Sequence, residues 1–516
     1  MISYRSEHGT SRDGFAQLLR AEFTYFRAVR LWMLSLWAVA VVFVLVSFVA
    51  ALGSHASNPA VPTGPDGEAV TDTYTFVHQP LAGDGTLTTR LASLSGAYTS
   101  SNSFGASSNS QPGLQLRPGL APWAKAGIIL EPATNQGIDY AAVMVTGSNG
   151  VRMQYNYTHD TPGLIGPVGP SSPRWLRLNR LGDVISGYDS TDGVKWTEIG
   201  TARLTGLPQM VVIGLFVTSP LHFSAGDNNG TPSVATATFD HVSTQGGIPH
   251  GSWTGDTIGG FYPSLQSDSI WQQQSADKFT VSGSGDIAPL VGDIVTTNWS
   301  GASIVDGTIV GLPIVIVLAA LFATSEFRRG SIRTTSVASP RRVPAAKAIV
   351  VGSLVFAAGA IATAIADVIT RHVLAANGIF LFPQSGPDAA RIIIGTGLFL
   401  GLAAALVVAL GTMLRRSIRT VVAGIVLLEV PGVIATLLPA DSESWLMRLT
   451  PTAAFAIQAT LPRSNLVSDA YTIVNGYFPI SPWGGLAVLA AYTAVALGAA
   501  MWLVHRREPT RVASQS

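Results

Sequence analysis

The stretch LWMLSLWAVAVVFVLVSFVAALG, residues 31–53, contains no charged side chain and is long enough to cross a bilayer as one helix. A helix rises about 1.5 Å per residue, so roughly 20 apolar residues cross about 30 Å of hydrocarbon. Lipid offers the backbone no hydrogen-bond partner, so the stretch must satisfy its own amides as a helix. No small-residue cleavage pattern follows it directly, and we interpret it as a retained anchor rather than a signal peptide.

Five more apolar stretches follow in the last part of the chain. The mean hydropathy is +0.36 and only 12% of the residues are charged, which is unusual for a soluble enzyme of 516 residues. The six predicted spans are residues 31–53, 307–323, 348–370, 392–414, 420–438 and 484–504. We therefore predict a six-helix transmembrane bundle, with its membrane domain over residues 303–516.

Lys and Arg orient such spans, because short connections that carry them stay in the cytoplasm. The two terminal tails and the connections after the second and fourth spans together carry seventeen of these residues, whereas the two short opposite connections carry four. We expect a multi-pass protein of the plasma (inner) membrane with both termini cytoplasmic and residues 54–302 extracytoplasmic. Residues 439–483 are expected outside as well, and the apolar part at 453–461 could dip back into the bilayer.

A second helix is predicted just before the first span. Its apolar side chains recur at helical spacing, and they are Phe15, Leu18, Leu19, Phe23 and Phe26. Arg20, Glu22 and Arg27 lie largely off this face. Residues 1–53 are thus predicted to form an interfacial helix followed by the first span. An ordinary cytoplasmic extension of that span is the alternative.

Residues 54–302 read as β-structure, because apolar and polar side chains alternate between turn residues. Val151 to Tyr157 shows the alternation, and Gly147 to Gly150 would close a hairpin with Tyr140 to Val145. A three-strand meander and three later strands are also predicted, over residues 175–181, 184–188, 194–199, 210–218, 235–242 and 278–282. We predict an all-β sandwich inserted between the first and second spans.

Three segments of this insert carry a resemblance. WLRLNRLGD at 175–183, YDSTDGVKW at 188–196 and AGIILE at 126–131 resemble the concanavalin A-like lectin/glucanase jelly roll. The resemblance covers about residues 69–245 and implies a jelly-roll sandwich that can bind carbohydrate. Residues 246–302 would complete the sandwich or form a Gly/Ser-rich stalk.

The insert offers few candidate catalytic, metal-binding or sugar-binding residues. A glycosidase needs two carboxylates that flank the scissile bond, and the Glu-x-Asp-x-x-Glu spacing of the jelly-roll glucanases is absent. Asp189 and Asp192 lack the other ligands of a calcium loop, so a plain Asp-Gly turn is favoured and no metal site is expected. Trp123, Trp175 and Trp196 could stack on sugar rings, although packing in the core is the commoner fate of strand tryptophans.

Other functional classes are excluded by composition. The net charge of +1 argues against a nucleic-acid partner, and the absence of cysteine excludes disulfides, thiolate metal sites and a cysteine nucleophile. Only four of the 31 basic residues are Lys, a bias typical of bacterial proteins from GC-rich genomes. No lysine precedes Ser or Thr, so the chain has no phosphate-binding loop and cannot hydrolyse ATP by itself.

The connection between the second and third spans reads EFRRGSIRTTSVASPRRVPAAK, residues 326–347. It is similar to the corresponding loop of the type 2 ABC exporter permease family, where an acidic-aromatic-Arg start, a Gly-Ser/Thr-Ile-Arg-Thr-Thr core and a Pro-Arg-Arg then Ala-Lys ending recur. The resemblance implies that this loop contacts a separate ATPase subunit. The candidate coupling residues are Glu326, Arg328, Arg329, Gly330, Arg333, Pro340, Arg341 and Lys347.

The same resemblance implies the partners. Two permease halves would pair as a homo- or heterodimer in the lipid bilayer, and ATP and Mg would be used by the partner ATPase, with no cofactor bound to this chain. Inside the fifth span, Glu429 precedes Pro431, and an ionisable side chain there is predicted to mark either the cargo path or a structural hydrogen bond. Short members of the family lack the long outer insert, so the resemblance does not identify the transported substrate.

The leading hypothesis is therefore a non-enzymatic permease subunit of an exporter, which moves a lipid, glycan, peptide or drug-like substrate. The first alternative is a membrane-anchored lectin-like receptor or adhesin without transport activity. The second alternative, a surface glycan hydrolase, is disfavoured because the carboxylate pair is missing.

Overall fold

The computed structural model describes residues 14–54, 61–99, 116–169, 171–223, 230–247, 252–260, 270–291, 300–329, 342–437, 440–467, 471, 473 and 476–507. The chain divides into two compact units. The helical unit comprises Met1–Ser57, Val295–Leu461 and Thr472–Ser516, and the β unit comprises Asn58–Ile294 with Pro462–Tyr471. A mixed fold of apolar helices and antiparallel sheets is therefore confirmed.

The helical unit contains the predicted spans. Its helices are α1 Gly14–Ala28, α2 Arg30–Leu52, α3 Ser300–Arg329, α4 Val343–Ala376, α5 Gly386–Leu414, α6 Ser417–Leu428, α7 Val430–Leu437, α8 Ala440–Leu449, a 3₁₀ helix Pro451–Gln458 and α9 Pro482–Arg507. Within the described residues, six segments are long and apolar enough to cross a membrane, and the fifth of them combines α6 with most of α7. The chain is thus a membrane protein.

The α4 and α5 helices approach each other along a seam of glycines. A Cβ atom added to Gly401 would lie 2.7 Å from the carbonyl oxygen of Gly352, and one added to Gly352 would lie 3.0 Å from the carbonyl oxygen of Gly401. The absence of side chains therefore lets the two backbones touch, as small-residue spacing permits in membranes. One helical turn earlier in α5, Gly397 lies similarly close to Phe356.

The β unit is antiparallel throughout its described pairings. Its strands are β1 Val70–Asp72, β2 Tyr74–Ala82, β3 Gly85–Thr99, β4 Leu116–Pro118, β5 Lys125–Glu131, β6 Ala141–Thr146, β7 Val151–Tyr155, β8 His159–Pro162, β9 Arg174–Leu181, β10 Val184–Ser190, β11 Thr197–Arg203, β12 Met210–Thr218, β13 Ser233–Gly246, β14 Thr254–Ile258, β15 Trp271–Ser275, β16 Lys278–Gly283 and β17 Ile287–Pro289.

These strands form two large sheets and one short ribbon. The first sheet has the order β14-β2-β12-β5-β6-β7-β8, and the second has the order β11-β10-β9-β3-β13-β16-β15 with β4 beside β3. Inward side chains of both sheets, such as Ile128, Leu176 and Phe239, share one buried apolar core. The ribbon pairs β1 with β17, and Val70 lies opposite Pro289.

Most of the predicted strands are present, and one begins later than predicted. The meander β9-β10-β11 and the β6-β7 hairpin are formed as the sequence indicates. Strand β11 begins at Thr197 instead of Val194, because Asp192 Oδ1 accepts the backbone N–H groups of Val194 and Lys195, both at 2.8 Å, and holds them in a turn. The Asp-Gly interpretation of this loop agrees with that geometry.

The glycine seam gives a direct prediction for the helical unit. Replacing Gly401 by Val places a branched side chain against the backbone of α4 and should destabilise the unit by about 1–3 kcal/mol, the usual cost of overpacking. Thermal unfolding of the full chain in detergent, followed by far-UV circular dichroism, measures the change. Gly498→Val is the matched control, because nothing lies within 4 Å of a Cβ at that position of α9. Equal melting of the two variants would contradict the assigned contact.

Candidate functional site

A buried lysine lies where α1, α3 and α4 meet. Lys347, near the start of α4, is 1% exposed, and its Nζ lies 4.0 Å from Oε1 of Glu22 in α1. The same Nζ lies 5.6 Å from the ring centroid of Phe322 in α3. Among the candidate coupling residues, the side chain of Lys347 is described, and it lies in a defined contact. Glu22 was predicted to lie largely off the apolar face of α1, but its side chain is buried, at 4% exposure.

Aromatic rings surround this contact. Phe322 is fully buried, and its ring centroid lies 5.4 Å from that of Phe26 and 5.7 Å from that of Trp32. Tyr25 lies 5.8 Å from Phe322, and its hydroxyl is 3.5 Å from the hydroxyl of Ser325. The end of α1 and the start of α2 are therefore packed against the last turns of α3. We call Glu22, Phe26, Phe322 and Lys347 the helix junction.

The opposite charges of Glu22 and Lys347 stabilise each other in the helix junction. Moving an ion from water into a protein interior costs several kcal/mol, and removal of either partner takes a compensating charge away from the other. A cation near the first turn of a helix is also disfavoured by the helix dipole. Pro344 occupies the first turn of α4, where its missing N–H is harmless. Glu22 and the Phe322 ring are thus the favourable surroundings that hold Lys347 in this position.

The helix junction lies at both ends of the basic connection. Phe322 and Ser325 belong to the last turns of α3, and Lys347 to the first turns of α4. Glu326, Arg328 and Arg329 lie in the final turns of α3. Four further candidates, Gly330, Arg333, Pro340 and Arg341, lie outside the described residues.

Glu429 separates α6 from α7. Its N–H donates to the carbonyl of Ile425 at 2.9 Å and its own carbonyl accepts from Val433 at 3.1 Å. Pro431 follows in the first turn of α7, where it needs no donor. Oε1 of Glu429 is buried and has no hydrogen-bond partner within the described part of the chain. An unpartnered carboxyl oxygen therefore lies at the break between the two helices. Its position is compatible both with a cargo path and with a structural hydrogen bond.

A buried 3₁₀ helix lies after the break, in the segment whose apolar part was predicted to be able to dip back into the bilayer. Every residue of Pro451–Gln458 is buried. Gln458 Nε2 donates to the hydroxyls of Thr308 in α3 at 2.6 Å and Thr396 in α5 at 3.1 Å. Arg391 donates to the carbonyls of Ile457 and Ala459, both at 2.8 Å. The apolar part of residues 439–483 is thus packed inside the helical unit.

The three candidate tryptophans of the β unit belong to two different sheets. Trp123 is 5% exposed and precedes β5 of the first sheet, with Lys125 Nζ 5.9 Å from its ring centroid. Trp175 lies in β9 of the second sheet, and a Cβ on Gly193, whose φ is +74°, would meet its ring at 2.7 Å.

Trp196 precedes β11 of the second sheet, and the guanidinium of Arg177 lies 3.8 Å from its ring centroid. Each of the three rings thus has a protein group on it: Lys125 at Trp123, Gly193 at Trp175 and Arg177 at Trp196.

Comparison with known proteins gives no family. No family model and no curated protein matches this chain. Among solved structures, a functionally unknown protein from Saccharomyces cerevisiae is similar at 15% identity, with 38% of this chain and 86% of that chain covered and a TM-score of 0.23. The scytalido-glutamic peptidase bound to a transition-state analogue inhibitor is similar at 6% identity, with 43% and 100% covered and a TM-score of 0.26. Neither likeness assigns an activity.

The helix junction predicts how α1 responds to loss of the buried cation. Lys347→Met leaves the Glu22 carboxylate without this cation, and removal of one partner of a buried pair typically costs about 3–5 kcal/mol. Hydrogen–deuterium exchange of the full chain should then show faster exchange across residues 14–28.

Arg27→Met is the control, because Arg27 is a basic residue of α1 on its exposed side. The double variant Glu22→Leu, Lys347→Met should recover part of the protection, since both charges are then gone. Unchanged exchange in Lys347→Met would show that the pair does not hold α1.

Proposed function

We propose that this chain is the transmembrane permease subunit of an ATP-driven exporter related to the type 2 ABC family. It is not an enzyme by itself, and a separate ATPase subunit supplies the energy. The observation that carries the proposal is the helix junction, which ties α1 to both ends of the basic connection. Helices packed in this way can transmit the motion of a cytoplasmic partner to the membrane spans.

Buried side chains connect both ends of the basic connection to α1. Phe322 near the end of α3 and Lys347 at the start of α4 are both fully or nearly fully buried and contact α1. A displacement of the connection at residues 330–341 therefore moves α3, α4 and α1 together. The glycine seam then couples α4 to α5, the most deeply buried of the six candidate spans. A push on the basic connection thus has a continuous route of packed helices to the centre of the bundle.

The distribution of charge supports the orientation. The arginines of the connection, Arg328, Arg329, Arg333 and Arg341, belong to the basic side of the chain, which favours a cytoplasmic position by the positive-inside rule. On this proposal both termini are cytoplasmic and residues 54–302 lie outside the plasma (inner) membrane. An arginine-rich cytoplasmic connection suits an ATPase surface that presents carboxylates.

On this proposal the β unit acts at the outer face of the membrane. Two antiparallel sheets around one apolar core are compatible with the jelly roll that the 175–183 and 188–196 segments resemble. We propose that it binds or guides a ligand, which for a lectin-like sandwich would be a carbohydrate. The partner half, homo- or heterodimeric, would pair through the lipid-embedded helices.

Affinity purification tests the proposal. The tagged full chain, isolated from the cells that make it, should carry a nucleotide-binding protein that mass spectrometry identifies and whose ATP hydrolysis can be measured. Reversing three charges, with Arg328, Arg329 and Arg333 each replaced by Glu, should reduce its recovery at least tenfold, because three opposed contacts are removed.

The matched control reverses Arg415, Arg416 and Arg419, three arginines of another connection on the same predicted side. These changes should leave the recovery within twofold of the unmodified chain. Recovery of no ATPase, or equal recovery with both triple variants, would favour the membrane-anchored receptor instead.

A further inference from the structure

An arginine on the outer face of the second sheet is held in place by two contacts. Arg177 of β9 lies directly opposite Thr88 of β3, and its Nε donates to the Thr88 hydroxyl at 3.2 Å. Its Cζ lies 3.8 Å from the ring centroid of Trp196. The two terminal nitrogens, Nη1 and Nη2, have no partner within the described part of the chain. A ligand that reaches this partly exposed guanidinium therefore finds it already ordered.

The acidic side chains of this face are engaged elsewhere, so they leave the charge of Arg177 uncompensated. Asp240 of β13 accepts from Nε and Nη2 of Arg90, at 2.7 and 2.6 Å, and this bond holds the pKa of Asp240 below its usual range. Glu198 lies two strands away from Arg177 and accepts the hydroxyl of Thr201 at 2.8 Å. Burial lowers the pKa of Arg177, because the guanidinium has lost water without gaining an anion.

A second group of N–H donors lies beside Arg177. Asn179 is two residues further along β9, and residues at this spacing point to the same side of a strand. Its Oδ1 accepts the hydroxyl of Thr86, which lies directly opposite in β3, at 2.7 Å. That bond uses the acceptor end of the amide, and the Nδ2 donors have no partner among the residues that the structure describes. The face thus presents a guanidinium and an amide side by side.

The geometry of these donors selects an oxyanion. A planar guanidinium with both terminal nitrogens available matches two oxygens of one carboxylate or phosphate group. Because the Trp196 ring and the Thr88 hydroxyl already order the side chain, binding loses less conformational entropy than it would at a free arginine. Arg203, in β11 of the same sheet, is such a free arginine: it is exposed, and no ring or hydroxyl of the described residues contacts its guanidinium.

We propose that Arg177 and Asn179 form a binding site for an acidic saccharide, in which the terminal nitrogens of Arg177 hold a carboxylate or phosphate group and Asn179 Nδ2 donates to a neighbouring hydroxyl of the ligand. Charge complementarity selects the oxyanion, and the hydroxyl side chains of Thr86 and Thr88 beside it suit a polyhydroxylated ligand. The inference rests on the ligand-binding role proposed for the β unit, and it adds the place and the charge of that ligand. It does not depend on the ATPase partner.

Isothermal titration calorimetry of the full chain in nanodiscs of zwitterionic lipid tests the site. Glucuronate, glucose 6-phosphate and glucose are probes of similar size that differ in their charged group. At least one of the two acidic probes should bind about tenfold more tightly than glucose, because only an oxyanion satisfies the guanidinium. The tighter of the two shows whether the site takes a carboxylate or a phosphate. Binding of neither acidic probe, or of glucose with equal affinity, would overturn the proposal.

Variants assign the binding to this arginine. Arg177→Gln should weaken binding of the tighter acidic probe about tenfold or more, since it removes the cation that faces the oxyanion. Thr88→Val keeps the volume of the side chain but removes the hydroxyl that orders the guanidinium, so it should weaken binding by a smaller factor of about three.

Arg203→Gln is the matched control and should leave the affinity within about twofold. Far-UV circular dichroism on heating shows that each variant is folded, and the recovery of the ATPase with Arg177→Gln should equal that of the unmodified chain, which separates this test from that of the exporter. Equal affinities of Arg177→Gln and Arg203→Gln, or an undiminished affinity of Thr88→Val, would contradict the assigned site.

Discussion

A hydrocarbon interior supplies no hydrogen-bond partner and solvates no ion, and this constraint decides where the charged residues of the helical unit can lie. The six apolar helices carry few charges, and the basic residues concentrate in the connections. Lys347 is one of the buried charged residues of this unit. It enters the packed interior only at the end of a helix, with Glu22 and an aromatic ring beside it. The helix junction is therefore a consequence of the same constraint that makes the spans.

Buried charge plays a comparable part in the β unit. Lys125 and Asp286 form an ion pair beneath the ribbon, and Asp72 is anchored nearby by a backbone amide and a tyrosine hydroxyl. Buried pairs of this kind contribute little net stability, but loss of one partner is costly, so they fix one arrangement against others. In both units such a pair lies where one segment of the chain is joined to the rest of the unit. Apolar packing builds each unit, and the buried charges determine how particular segments are joined to it.

Local sequence determined a large part of the fold, for a physical reason. The spans follow from composition alone, and the break before Pro431 follows from the missing amide donor of proline. Strands with alternating side chains, such as β13, were predictable because buried apolar residues alternate there with less buried polar ones. The residues that the sequence did not reveal depend on distant partners. The burial of Glu22 requires Lys347, and the pairing of β1 with β17 requires the whole unit to fold between them. Gln458 was missed for the same reason, since Thr308 and Thr396 lie on other helices.

The central claim is that residues 326–347 face the cytoplasm while the β unit lies outside. The chain contains no cysteine, so single cysteines can be introduced and labelled with a membrane-impermeant maleimide in intact cells. The account predicts that Ser336→Cys stays unlabelled until the cells are opened, whereas Thr191→Cys, at the exposed turn after β10, is labelled at once. Labelling of Ser336→Cys from outside, with Thr191→Cys protected, would contradict the orientation and with it the proposed contact with an ATPase.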